Sequence, residues 1–154
     1  LGEADDLEDF LFSSSRQSLQ IMGAGLRKLD GEKCFYCEHS LTSADVDHYI
    51  PFSLYPRDLA HNFVLAHPAC NRSKSDTLAA LPHLERWLER MMSKADALAE
   101  IGVEAGFVTE PLVARQVGAW AYANAVASAS KAWLAANSYK PIDKRYSECF
   151  SAST

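Results

Sequence analysis

The chain has 154 residues, 48% of them hydrophobic and 23% charged, with a formal net charge of −5. That length suits one domain with a real core and no need of disulfide staples. No apolar run reaches the ~18 residues of a membrane-spanning helix, and the acidic balance argues against gripping nucleic acid by bulk positive charge.

Residues 3–12 carry acidic side chains and then Leu7, Phe10, Leu11 and Phe12, which predicts a short helix interrupted at Ser13 to Ser15. Leu19, Met22, Leu26 and Leu29 recur at spacings of three and four. They form one face of a second helix ending near Asp30-Gly31, although Gly23 and Gly25 weaken it. Val46 to Ile50 reads as a strand ended by Pro51, and Phe63 to Ala66 as another, with about ten residues of loop between. Pro68 suits the first position of a helix through Cys70, Asn71 and Lys74.

Pro82 opens a helix with a face of Leu84, Trp87, Leu88, Met91, Ala95 and Leu98, stopping near Gly102. On it, Arg86, Arg90 and Lys94 at four-residue spacing predict a solvated basic ridge rather than a phosphate track. A last helix is expected from Glu110-Pro111 to Ala136. Alanines at 119, 121, 123, 125, 127 and 129 alternate as in a strand, but alanine favours helix. Trp120, Val126, Trp133 and Leu134 give this helix bulk to pack. Tyr139 to Thr154 is polar and reads as an extended or loosely ordered tail.

Between the second helix and the Pro82 helix lie two ligand pairs of zinc spacing, Cys34-x-x-Cys37 and His67-x-x-Cys70. Each pair offers two donors from one tight knuckle, and two knuckles complete a tetrahedral Zn²⁺ shell. Four protein ligands leave no place for water, so this zinc is expected to be structural. Two disulfides are the competing use of four cysteines, but without a secretory signal the metal reading is preferred. The acidic opening, Glu3 to Asp9, is unlike such a signal, so a cytoplasmic setting is expected. His39 and His61 are rival ligands, and either would replace His67 only by distorting the second knuckle. Cys149 reads as a packed or tail thiol.

The insert between the knuckles holds Asp47, His48 and Asn62, and Asn71 follows directly on Cys70. Asp47 offers a hard oxygen for Mg²⁺ or Mn²⁺, and His48 is suited to taking a proton from water near neutral pH. Neighbours on a strand point to opposite faces, so bringing both into one site needs a bend, for which Pro51 is well placed.

Taken together, the fragments Cys34-Phe-Tyr-Cys37, Asp47-His48-Tyr-Ile-Pro51, Asn62-Phe-Val-Leu65 and His67-Pro-Ala-Cys70-Asn71-Arg-Ser-Lys74 resemble the HNH endonucleases, whose active site is a ββα-metal fold. The resemblance implies that His48 is the general base activating water. It makes Asp47 and Asn71 the ligands of one divalent cation, usually Mg²⁺, which binds the scissile phosphate and stabilises the leaving 3′ oxygen. It implies that Asn62 holds the loop and so orients His48, and that Lys74 and Arg72 contact phosphate from the helix. The implied products are 5′-phosphate and 3′-hydroxyl ends. His67 stands where a third Cys is more common, and Asn71 where the family often has His; neither change removes a ligand atom.

The expected fold class is α+β: a zinc-stapled ββα-metal core in a mostly helical domain. Its expected divisions are an N-terminal helical segment over 1–33, the nuclease core over 34–77, packing helices over 78–138 and a tail over 139–154. The expected function is hydrolysis of nucleic acid phosphodiesters, DNA rather than RNA, with Mg²⁺ or Mn²⁺ catalytic and Zn²⁺ structural. The rival is a non-catalytic zinc-knuckle module that binds nucleic acid or protein. Because the charge is negative and the chain starts at Leu1 rather than Met, a further domain or subunit is expected to recruit it. Restriction or phage defence is a common setting for this family.

Overall fold

The computed structural model describes residues 2–151. It opens on α1 (Gly2–Asp30), one continuous helix of 29 residues. The expected break at Ser13 to Ser15 is absent: three serines cost a long helix little propensity compared with a proline or glycine. Phe10 and Phe12 lie outside the described side chains. Farther along, Met22 and Leu26 are fully buried, as the apolar spacing predicts. Gly25 has a tertiary reason, since a Cβ there would stand 2.5 Å from Ile101 Cγ2. α1 stops where Gly31 turns left-handed, its N–H and that of Glu32 both donating to the Arg27 carbonyl.

The core follows as β1 (Asp45–His48), a 3-10 turn (Ala60–Asn62), β2 (Phe63–Ala66) and α2 (Pro68–Lys74). β1 and β2 pair antiparallel in the register Asp45 to Ala66 and His48 to Phe63. β2 is buried along its whole length, which its unbroken apolar run explains. The chain is α+β, two small sheets set among helices.

Two helices, α3 (Leu81–Ser93) and α4 (Ala95–Ala105), replace the one expected from Pro82 to Gly102. They part at Lys94, whose ammonium reaches the Leu29 carbonyl and the Asp30 carboxylate at the end of α1. The expected basic ridge is likewise not solvated. Arg90 is buried, donating to Asp30 at 3.2 Å and to the Phe63 carbonyl. Arg86 donates to the carbonyls of Phe35 and Tyr36. Four-residue spacing located the row but not its direction, which is inward, onto backbone carbonyls of α1, β2 and the first knuckle.

The last long helix, α5 (Pro111–Ala127), ends nine residues before the expected Ala136. Ala129 takes a left-handed φ of 53°, and the chain turns into the hairpin β3 (Lys131–Ala135) and β4 (Ser138–Pro141), followed by α6 (Lys144–Ser151). Trp133 and Leu134 are therefore strand residues, and β4 and α6 occupy most of the expected tail; residues 152–154 are outside the described chain. Packing overrides helix propensity here. On β3, Trp133 is buried against Tyr36 and His83, its indole N–H donates to Ser73, and its backbone pairs with Leu78 and Ala80. The hairpin thus clamps α2 and the first knuckle. Beneath, Trp87 stacks on Tyr49 at 4.6 Å, and Tyr49 bonds Tyr122, tying the segment just after β1 to α3 and α5 in one core. Among the described residues, no helix is long and apolar enough to cross a membrane.

Candidate functional site

The first knuckle is a turn closed by Cys34 N–H to His39 O and Glu38 N–H to Cys34 O. The second is the start of α2, with His67 at the N-cap and Pro68 in the first turn. The β1–β2 hairpin brings them together: the candidate ligand atoms of Cys34, Cys37, His67 and Cys70 all lie within 4.8 Å of one another. His67 Nδ1 faces Cys37 Sγ at 3.2 Å, while Nε2 donates to the Ser40 carbonyl. That carbonyl fixes the tautomer that presents a lone pair at Nδ1, as for a zinc-binding imidazole.

The thiols of this cluster work against one another. Burial raises Cys34, but backbone hydrogen bonds from Cys37, His67 and Tyr36 outweigh it and bring the group down to about 7. Burial and then the neighbouring Cys34 and Cys37 push Cys70 up to about 12. One thiolate makes the next expensive in so small a space, and a dication removes that conflict. The donor set fits Zn²⁺. Neither rival ligand joins it: His39 is exposed, and buried His61 bonds the Ala95 carbonyl.

Asp47 and His48 share no partner. β1 ends at His48, so the bend before Pro51 comes too late to turn both side chains the same way. Asp47 accepts from the Tyr36 hydroxyl at 2.6 Å, and Lys74 Nζ stands 3.9 Å from it. Burial, then the Asp47 charge, pushes the Tyr36 phenol well up, so it remains a donor. Lys74 is fully buried, and its Nζ has no hydrogen-bond partner. Burial lowers its pKa, against the pull of Asp47 and Asp76. Lys74, from which a phosphate contact is expected, points its side chain into the core. Arg72, two residues earlier, is exposed.

Asn71 donates its amide to Asp45 at 3.0 Å, a carboxylate the motif does not single out. Asp45 and Asp47 alternate on β1 and so face one way. Asn71 and Lys74, three apart on α2, face back. The facing surfaces of β1 and α2 thus hold Asp45, Asp47 and Asn71, an oxygen set of the kind Mg²⁺ or Mn²⁺ takes.

His48 packs on Phe63 and Phe52, and its Nε2 meets Asp58 Oδ1 at 2.8 Å. Asp58 lies in the loop before the 3-10 turn, and no motif pointed to it. That loop is closed by Asn62, whose Oδ1 accepts from Ile50 N–H at 2.8 Å and whose Nδ2 donates to Ile50 O at 3.0 Å. A second tie runs from Tyr49 N–H to Asn62 O. The backbone directly after His48 is therefore held by three hydrogen bonds to one buried residue. No curated protein and no solved structure matches the chain. The stretch that holds both clusters does match a family: residues 34–80 fit the model of an HNH endonuclease.

Proposed function

We propose that residues 34–80 are the catalytic part of a metal-dependent endonuclease that hydrolyses nucleic acid phosphodiesters, DNA rather than RNA. The observation that carries this is the contact of Asn71 with Asp45, with Asp47 on the same face of β1, on a strand that ends in an imidazole paired to a carboxylate, all within a zinc-type staple. Asp47 and Asn71 are the residues to hold Mg²⁺ or Mn²⁺, with Asp45 as a neighbouring oxygen donor. A cation there supplies positive charge to the phosphate and to the leaving 3′ oxygen. His48 takes the proton of the attacking water at Nδ1, because Asp58 engages Nε2. Asn62 keeps that imidazole in place by bracing Ile50. Tyr36 and Lys74 hold the Asp47 carboxylate in place, and Arg72 is the exposed cation of α2 available to substrate. Zn²⁺ on Cys34, Cys37, His67 and Cys70 holds the frame.

With a net charge of −5, a further domain or subunit is proposed to bring the nuclease to its substrate, in a restriction or phage-defence setting. The decisive experiment offers plasmid, duplex and single-stranded substrates with Mg²⁺, Mn²⁺ or EDTA, beside a His48→Ala control. Metal-dependent cutting that drops by ~10²–10⁴ in the control is expected for a lost general base. A wild type that binds these substrates without cutting them would instead be a zinc-knuckle binding module.

A further inference from the structure

A nuclease must neutralise the phosphates flanking the one it cuts, and the basic residues near this site are largely committed elsewhere. Lys74 is buried against Asp47, and Arg86, Arg90 and Lys94 are bound to backbone carbonyls and Asp30. Asp45 and Asn71 nevertheless line one wall of a groove of about 540 Å³. The opposite wall is α1, which contributes Arg16, Gln20, Gly23 and Arg27. Positions 16, 20 and 27 are four and seven apart, so they share one helix face. The arginines, eleven positions apart, are separated by ~16 Å of helix axis, over which a duplex strand passes several phosphates at ~3.4 Å each. Arg27 holds its own chain only loosely, at 3.5 Å from both Glu32 and the Thr42 carbonyl, the outer limit of a hydrogen bond. All of α1 lies outside the residues that match the family.

We propose that this groove seats the phosphodiester backbone of the nucleic acid substrate, with Arg16 and Arg27 of α1 as its phosphate-binding residues. The proposal rests on the nuclease reading and adds to it a wall that the ββα core does not contain.

The test measures fluorescence anisotropy of labelled single-stranded and duplex oligodeoxynucleotides with the full chain, zinc-loaded and in Mg²⁺. It is done in the His48→Ala background, so that nothing is cut, between ~50 and 200 mM salt. Arg16→Gln and Arg27→Gln should each raise Kd about 3- to 10-fold, equally for unrelated sequences, and each lower the salt slope by about one. Arg27→Lys should keep the slope, which separates charge from the Thr42 contact. Unchanged affinity and slope in both Gln variants overturns the proposal, as does a parent with no saturable binding at the lowest salt. If the wild type cuts while binding ignores both arginines, the groove assignment falls and the nuclease stands. Arginine-dependent binding by a wild type that never cuts removes the nuclease reading and leaves the groove as a nucleic acid seat.

Discussion

Replacing Asp58 by Ala tests whether the carboxylate on His48 helps or hinders. If the water is activated at Nδ1, Asp58 holds the proton on Nε2 and keeps the ring aimed, as the third member of a catalytic triad does. Loss of the correct tautomer in a buried triad costs ~10⁴ in rate. The effect here should be smaller, because 49% of the Asp58 side chain is exposed and water can take its place as acceptor at Nε2. Outer-shell partners of metal-binding imidazoles are worth ~10–100-fold, and the same scale is taken for this one. The lower end applies, so kcat should fall ~10-fold, or ~1.4 kcal/mol, with KM unchanged and the melting temperature within a degree or two. The assay is single-turnover cleavage of a labelled oligonucleotide, paired with ¹⁵N spectra of the His48 ring, which should move from Nε2-protonated to a mixture of tautomers. Unaltered cleavage would reduce Asp58 to a surface ion pair, worth little as such pairs usually are. Faster cleavage would show that Asp58 blocks the nitrogen the reaction needs, and would refute the assignment of Nδ1.

Zinc content should be one per chain by elemental analysis, and Cys70→Ser should weaken zinc binding by more than ~100-fold, beyond what outer-shell changes do. Chelation should cost the chain its cooperative melt, because Tyr36, between the two knuckle cysteines, is buried against Trp133, His83 and Asp47; an apo chain melting like the holo form refutes the staple. Arg90→Met should destabilise the fold by ~2–3 kcal/mol in urea, below the ~3–5 of a fully buried broken pair, because Lys94 still reaches Asp30. No change in the urea midpoint would mean that Asp30 finds enough water when its guanidinium is gone.

Much of the central stretch was legible because its local signals agree. β-branched and aromatic residues, Pro51 and Pro68 place β1, β2 and α2 to within a residue or two, and equal knuckle spacings pick His67 over His39 and His61. The flanks were less legible, since tertiary contacts decide them. Nothing local says that an Ala-rich helix must stop at Ala127; the reason is Trp133, which has a place waiting between Tyr36, His83 and Ser73. Arg86, Arg90 and Lys94 looked solvated because spacing reports a shared face and is silent on what that face meets.

The site itself divides along the same line. Asp45 was within reach of the sequence, since strand period places it on the face of Asp47. Asp58 was not, because a loop residue ten positions from His48 carries no periodicity that aims it. Lys74 is the sharpest case. Its place in the motif suggests a phosphate contact, yet α2 is a seven-residue helix packed under β3, and the turn that presents Asn71 to Asp45 buries Lys74 three residues on. With Lys74 buried, exposed Arg72 is what α2 offers the substrate, and further positive charge must come from outside the ββα core. That requirement, together with the net charge of −5, is what makes α1 and its two arginines part of the functional question rather than packing alone.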